Sequence, residues 1–118
     1  MRFWLSLGFV LAALAVVLGA FAAHGLRNSL SPERFLVWET AVRYQMYSAL
    51  GIQFASLQPG WSGHGPALLA AGACVFSGSL YLLCLLDQRW LGAITPIGGL
   101  LMIAGWLLLA KNAWKKAS

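Results

Sequence analysis

Three stretches of the chain, residues 3–23, 66–86 and 90–110, are predominantly apolar and contain no charged side chain. About 20 helical residues cross a hydrocarbon core, so each stretch is long enough to be a membrane helix. A fourth segment differs. Between Ser31 and Leu57 the apolar pattern is broken by Glu39, Arg43, Thr40, Tyr44, Gln45 and Tyr47. Its start reads as a helix N-terminus, with Ser31 as cap, Pro32 at the first helical position and Glu33 in the first turn. A helix over 32–57 would be about 39 Å long, more than a core of about 30 Å. Its opening turns therefore belong in the headgroup region, with Phe35 and Trp38 dipping toward lipid or the bundle.

The pattern predicts an all-α fold, an integral membrane four-helix bundle forming a single transmembrane domain over 1–118, with helices near 3–23, 32–57, 66–86 and 95–113. Residues 24–29 end the first helix, with Gly25 available for a left-handed cap. Gln58 to Gly65 is a glycine-rich turn and Asp87-Gln88-Arg89 a short charged one. Thr95 can cap the last helix with Pro96 at its first position, leaving Leu91 to Ile94 packed irregularly against protein; the alternative is a helix that starts at Leu91 and kinks at Pro96. Met1-Arg2 before an apolar run that ends in Ala20-Phe21-Ala22 also fits a signal peptide. That run is longer than a usual signal core of about 7 to 15 residues, and a retained helix is the preferred reading.

Small residues mark the expected contacts. The first helix carries glycine and alanine from Gly8 to Ala23, and Ala70, Cys74 and Gly78 recur every four residues on the third. Ser77 and Tyr81 lie on or near that side, which makes Tyr81 the residue to reach Glu39 or Arg43 if antiparallel packing brings it to their depth. At helical spacing Glu39, Arg43, Tyr47, Thr40 and Tyr44 follow one another around an arc of about 140°. One side of the second helix is thus polar. Either charge alone at mid-bilayer costs about 2.5 to 3.5 kcal/mol on insertion scales, so Glu39 and Arg43, in the favourable acid-then-base order, are expected to pair.

Composition narrows the class. Hydrophobic residues make up 60 % of the 118 residues and charged ones 9 %, against roughly 25 % charged in soluble domains. The formal charge of +5 comes from basic residues scattered at the ends of apolar runs, which suits lipid headgroups and argues against nucleic acid. Cys74 and Cys84, ten residues apart on one helix, are separated by about 15 Å of rise and cannot bridge. No metal spacing is present, and neither His24 nor His64 has a partner that announces catalysis. With both termini on one side, Arg2, Lys111, Lys115 and Lys116 stand against Arg27, Arg34 and Arg89, which favours cytoplasmic termini.

Four blocks resemble one family: Gly19-Ala20-Phe21-Ala22-Ala23-His24-Gly25-Leu26, Trp38-Glu39-Thr40-Ala41-Val42-Arg43-Tyr44-Gln45-Met46-Tyr47, Phe76-Ser77-Gly78-Ser79-Leu80-Tyr81, and Ile94-Thr95-Pro96-Ile97-Gly98-Gly99-Leu100 followed by Gly105-Trp106. In that order, over nearly the whole chain, they resemble the YgdD-like small membrane proteins, a family of unknown function found in bacteria and with eukaryotic relatives. The resemblance implies about four membrane helices and supplies no reaction. Two positions depart from it: Ser48 stands where histidine is common, and Ala22 where glycine is usual. A family role for that histidine in proton or metal traffic would be lost here.

Three function classes follow. The expected one is a non-enzymatic accessory component of the cell (inner) membrane, without cofactor or metal, whose partners are the bilayer, further copies of itself or other membrane proteins. The alternative is a small transporter or channel with a polar path around Glu39, Thr40, Arg43, Tyr44 and Tyr47, joined by His24 and Tyr81. A membrane enzyme using His24 or Glu39 as base is the third.

Overall fold

The computed structural model describes residues 2–117, with side chains through Lys115; the side chain of Lys116, expected at the membrane surface, lies outside the described set. Four long helices account for most of it: α1 (Arg2–Phe21), α2 (Pro32–Ser56), α3 (His64–Leu86) and α4 (Thr95–Ala117). Local chemistry sets their ends. Ser31, in extended conformation, accepts a hydrogen bond from the Arg34 amide at 3.2 Å, with Pro32 next to it in the first turn. Helix α3 stops at Asp87, which takes the left-handed conformation at φ 56° and returns its amide to the Leu83 carbonyl.

Two helix ends differ from expectation. Gly25 is not a left-handed cap; among the described residues positive φ is confined to Gly60 and Asp87. The chain instead leaves α1 through a π-helical turn, Ala22–Leu26, after which the Leu26 carbonyl accepts from the Ser29 and Leu30 amides, both at 3.0 Å. Before α4 a 3-10 turn, Arg89–Ala93, seats Leu91 in the interior. Thr95 does not cap α4. Its hydroxyl shares a 2.6 Å hydrogen bond with Ser79 and bonds back to the Leu91 carbonyl at 3.3 Å. The nearest side-chain oxygen on α3 and a carbonyl one turn earlier are therefore its partners.

Each helix runs antiparallel to the one before it. Gly8 lies against Gln53 and Leu18 against Trp38, which sets α1 on α2. Ser77 meets Ala41 and Cys84 meets Arg34, which sets α3 on α2. Gly72 meets Met102 and Gly105 meets Leu69, which sets α4 on α3. Helices α2 and α4 both lean on α3 and touch each other little. The result is 51 Å long and only 26 by 19 Å across.

The small-residue seam is not the one expected. Cys74 is exposed and a Cβ on Gly78 would meet nothing within 4 Å, so the stripe through Ala70, Cys74 and Gly78 is not the close contact. Closest approach occurs one face away, where a Cβ at Gly72 would sit 2.7 Å from the Met102 backbone nitrogen and one at Gly98 would sit 2.3 Å from that of Phe76. Glycine is needed there because backbone meets backbone.

By length and composition Arg2–Leu26, His64–Leu86 and Arg89–Lys115 are able to cross a membrane. Helix α2 is more polar, and its place comes from packing. It runs antiparallel along both α1 and α3, so it shares their depth.

Candidate functional site

Helix α2 carries two polar faces with opposite environments. On the inner face the Trp38 indole, 2 % exposed, donates to the Leu18 carbonyl of α1 at 3.0 Å and packs on Tyr81, ring centroids 4.7 Å apart. Gln45, 5 % exposed, uses both ends of its amide: Nε2 donates to the Leu11 carbonyl at 2.8 Å, and Oε1 accepts from the Tyr81 hydroxyl at 2.7 Å. Ser77 of α3 donates to the Ala41 carbonyl at 2.7 Å, and Ser48 lies 3.2 Å from the Met102 sulfur. In lipid a helix cannot borrow water, so these groups cross from helix to helix and tie α1, α3 and α4 to α2.

The outer face holds the residues singled out from sequence. Glu39, Arg43, Tyr44 and Tyr47 are exposed on the flank of the bundle and Thr40 is half-buried. The expected Glu39–Arg43 ion pair is not made, whereas Arg34 of the same helix pairs with Asp87. Arg43 turns to Thr40, donating from Nη2 to its hydroxyl at 3.2 Å, while Thr40 donates to the Leu36 carbonyl at 3.0 Å. The reason is local. Thr40 stands three residues from Arg43 with its oxygen already fixed against the helix, and it offers an acceptor beside the backbone. Tyr44 and Tyr47 stack edge to face, centroids 5.3 Å apart, and Tyr44 also rests on Phe76 of α3.

Tyr81 does not reach Glu39 or Arg43. Antiparallel packing places it on the inner side of α2, at Gln45 and Trp38. His24 is likewise apart. It is exposed in the π turn, and with Leu18 opposite Trp38 it lies level with the start of α2, about two helical turns from Glu39. His64 opens α3 at the other end of the molecule and is exposed. No group of three or more His, Cys, Asp or Glu converges among the described residues.

Two groups escaped the sequence reading. Gln45 was legible from spacing: it shares a helical face with Trp38, Ala41, Ser48 and Ile52, all buried, and a lone amide on an otherwise small and apolar face calls for two partners. The Arg34–Asp87 pair was legible only from topology. The two residues lie at the facing ends of α2 and α3, far apart in sequence and adjacent in an antiparallel hairpin.

Because α2 and α4 splay apart on α3, an open trough runs between them. One part, about 420 Å³, is lined by Thr40, Tyr44, Tyr47, Phe76, Met102 and Trp106. A second, about 530 Å³, continues past Trp106 along Leu50, Phe54 and Leu109. Trp106 lies over Gly51 and divides the two. The trough is aromatic and apolar, opens sideways, and has Thr40, Tyr44 and Tyr47 of α2 on its wall.

Comparison with known proteins gives a consistent result. A family model described as a protein of unknown function, DUF423, matches residues 18–99. A UPF0382 membrane protein of Staphylococcus haemolyticus is 47 % identical, covering 98 % of both chains. The UPF0382 membrane protein YwdK of Bacillus subtilis is 43 % identical, again over 98 % of each. A UPF0382 membrane protein of Schizosaccharomyces pombe is 42 % identical over 79 % of this chain and 86 % of its own. No solved structure matches.

Proposed function

This chain belongs to the DUF423 family of membrane proteins, and from that premise we propose that it is a non-enzymatic accessory component of the cell (inner) membrane with cytoplasmic termini. It works by presenting a mid-depth polar surface to another membrane-embedded protein. One observation carries the reading. The inner polar groups Trp38, Gln45, Ser77 and Tyr81 are spent on joining the helices, whereas Glu39 and Arg43 face outward across open space. Charges within a membrane segment either meet a partner or line a route, and a sideways-facing pair fits a partner. The second reading is a polar path between subunits. The trough of about 420 Å³ with Thr40, Tyr44 and Tyr47 on its wall favours it.

Thiol accessibility separates the two. In a Cys74→Ser background, Thr40→Cys and Tyr47→Cys are expected to stay unlabelled by a membrane-impermeant maleimide in intact membranes. Labelling of both would sink the docking reading in favour of a water-filled path.

A further inference from the structure

The outer ridge of α2 lies at a defined depth. Ala13 and Phe76 are the midpoints of the uncharged runs in α1 and α3. The Leu11–Gln45 and Leu18–Trp38 hydrogen bonds put Ala13 opposite residues near 43, and the Ser77–Ala41 bond puts Phe76 opposite residues near 42. Two independent pairings thus bring Arg43 to mid-bilayer, to within about one turn. From there the interface is about 15 Å away, beyond the reach of a snorkelling arginine. Glu39 lies one turn, about 6 Å, from Arg43 along the axis. Its carboxylate makes no hydrogen bond or ion pair among the described residues, and the guanidinium of Arg43 has only the neutral Thr40 hydroxyl.

We infer that this ridge is the isologous interface of a parallel homodimer, in which Glu39 of each copy pairs with Arg43 of the other. The inference rests on the docking reading above and names its partner. Three observations select a second copy over an unrelated chain. First, the ridge is neutral as a whole, and its acid and base are one turn apart. For copies inserted with the same orientation, as the proposed dimer requires, a twofold axis along the membrane normal keeps every residue at its own depth. Each arginine then extends one turn to the opposing glutamate, and the axis generates two such pairs, one for every charge. Second, shape follows the same symmetry. The exposed Tyr47, Leu50 and Phe54 form the α2 wall of the trough between α2 and α4, so one face offers both exposed side chains and a recess to receive those of a second copy. Third, in-chain pairing is absent even though the i, i+4 spacing permits it, which leaves both groups available across the axis.

The test uses two differently tagged full-length copies co-expressed and extracted in mild detergent. Wild-type copies are expected to co-purify. Glu39→Gln with itself leaves two unpaired arginines, and Arg43→Gln with itself leaves two unpaired glutamates; each combination should lose at least about tenfold in recovered partner. Glu39→Gln mixed with Arg43→Gln restores one complete pair and should recover well above either. That rescue is specific to pairing between copies, since in-chain contacts would not respond to mixing. Failure of the wild-type copies to co-purify, or a mixed pair no better than the singles, overturns the dimer.

If the charge variants do not accumulate, a gentler change decides. In the Cys74→Ser background, a membrane-permeant bis-maleimide should link Tyr47→Cys copies into dimers. It should not link Val10→Cys copies, which serve as the control because Val10 is exposed at a similar depth but on α1 and not on the α2 face. The reverse pattern overturns the proposal. Loss of the dimer while positions 40 and 47 stay unlabelled would leave docking to a different protein standing; labelling there removes both readings together.

Discussion

Arg43 and Gln45 are two positions apart on one helix and meet opposite surroundings. Gln45 points into the seam of α1, α2 and α3 and is held at both ends of its amide by the Leu11 carbonyl and the Tyr81 hydroxyl, while Arg43 is exposed on the outer flank. Hydrogen bonds between membrane helices contribute modestly, averaging about 0.6 kcal/mol with a ceiling of about 1.7 kcal/mol. Tyr81→Phe should therefore destabilise the detergent-extracted protein by about 0.6 to 1.7 kcal/mol, read from thermal unfolding followed by tryptophan fluorescence. Gln45→Leu should do more, roughly 1 to 3 kcal/mol, because it removes both bonds and leaves the half-buried Tyr81 hydroxyl without its acceptor. If Tyr81→Phe were the more damaging of the two, the amide would not be the hub described. Part of this face was legible beforehand: helical spacing gathers Glu39, Thr40, Arg43, Tyr44 and Tyr47 on one side of α2. Periodicity defines a face but not what it meets. Spacing could not say that this face looks outward, nor that Arg43 prefers Thr40 to Glu39.

At the level of elements, the α3–α4 contact is built on glycine. A methyl group at Gly98 would lie 2.3 Å from the Phe76 nitrogen, and one at Gly72 would press on Met102 and the Gly98 carbonyl. Neither neighbour is a flexible side-chain tip alone; both involve backbone. Gly98→Ala and Gly72→Ala are thus each expected to lower stability by about 1 to 3 kcal/mol through forced separation of the helices. Gly78→Ala meets empty space and should be neutral or gain up to about 1 kcal/mol from helix propensity. Thermal denaturation of the three variants side by side checks the contrast, and equal losses would show that α4 does not lie on this face. Sequence spacing alone could not choose between the two seams of α3, because small residues recur at helical intervals on both. The Ser31-Pro32-Glu33 start of α2 was easier to read, since an N-cap depends on its own few residues. The π turn after Phe21 and the back-bonded Thr95 depend on neighbours brought in from elsewhere, and no local signal carries them.

For the molecule as a whole, four antiparallel helices set both ends of the chain on one side. Arg2, Lys111, Lys115 and Lys116 occupy that side, so a C-terminal fluorescent-protein fusion should be bright and an alkaline phosphatase fusion at the same place inactive. The opposite pattern would invert the topology, though it would leave the depth of Arg43 unchanged. Antiparallel adjacency also has a temporal meaning. Each helix after the first packs extensively on the one synthesised just before it, so α2 can close on α1, and α3 on α2, while the ribosome is still reading later codons. Chains emerge N-terminus first at about 5 to 20 residues per second, and neighbouring contacts close faster than distant ones. Helix α4, last to arrive, finds its glycine-lined landing strip on α3 already in place.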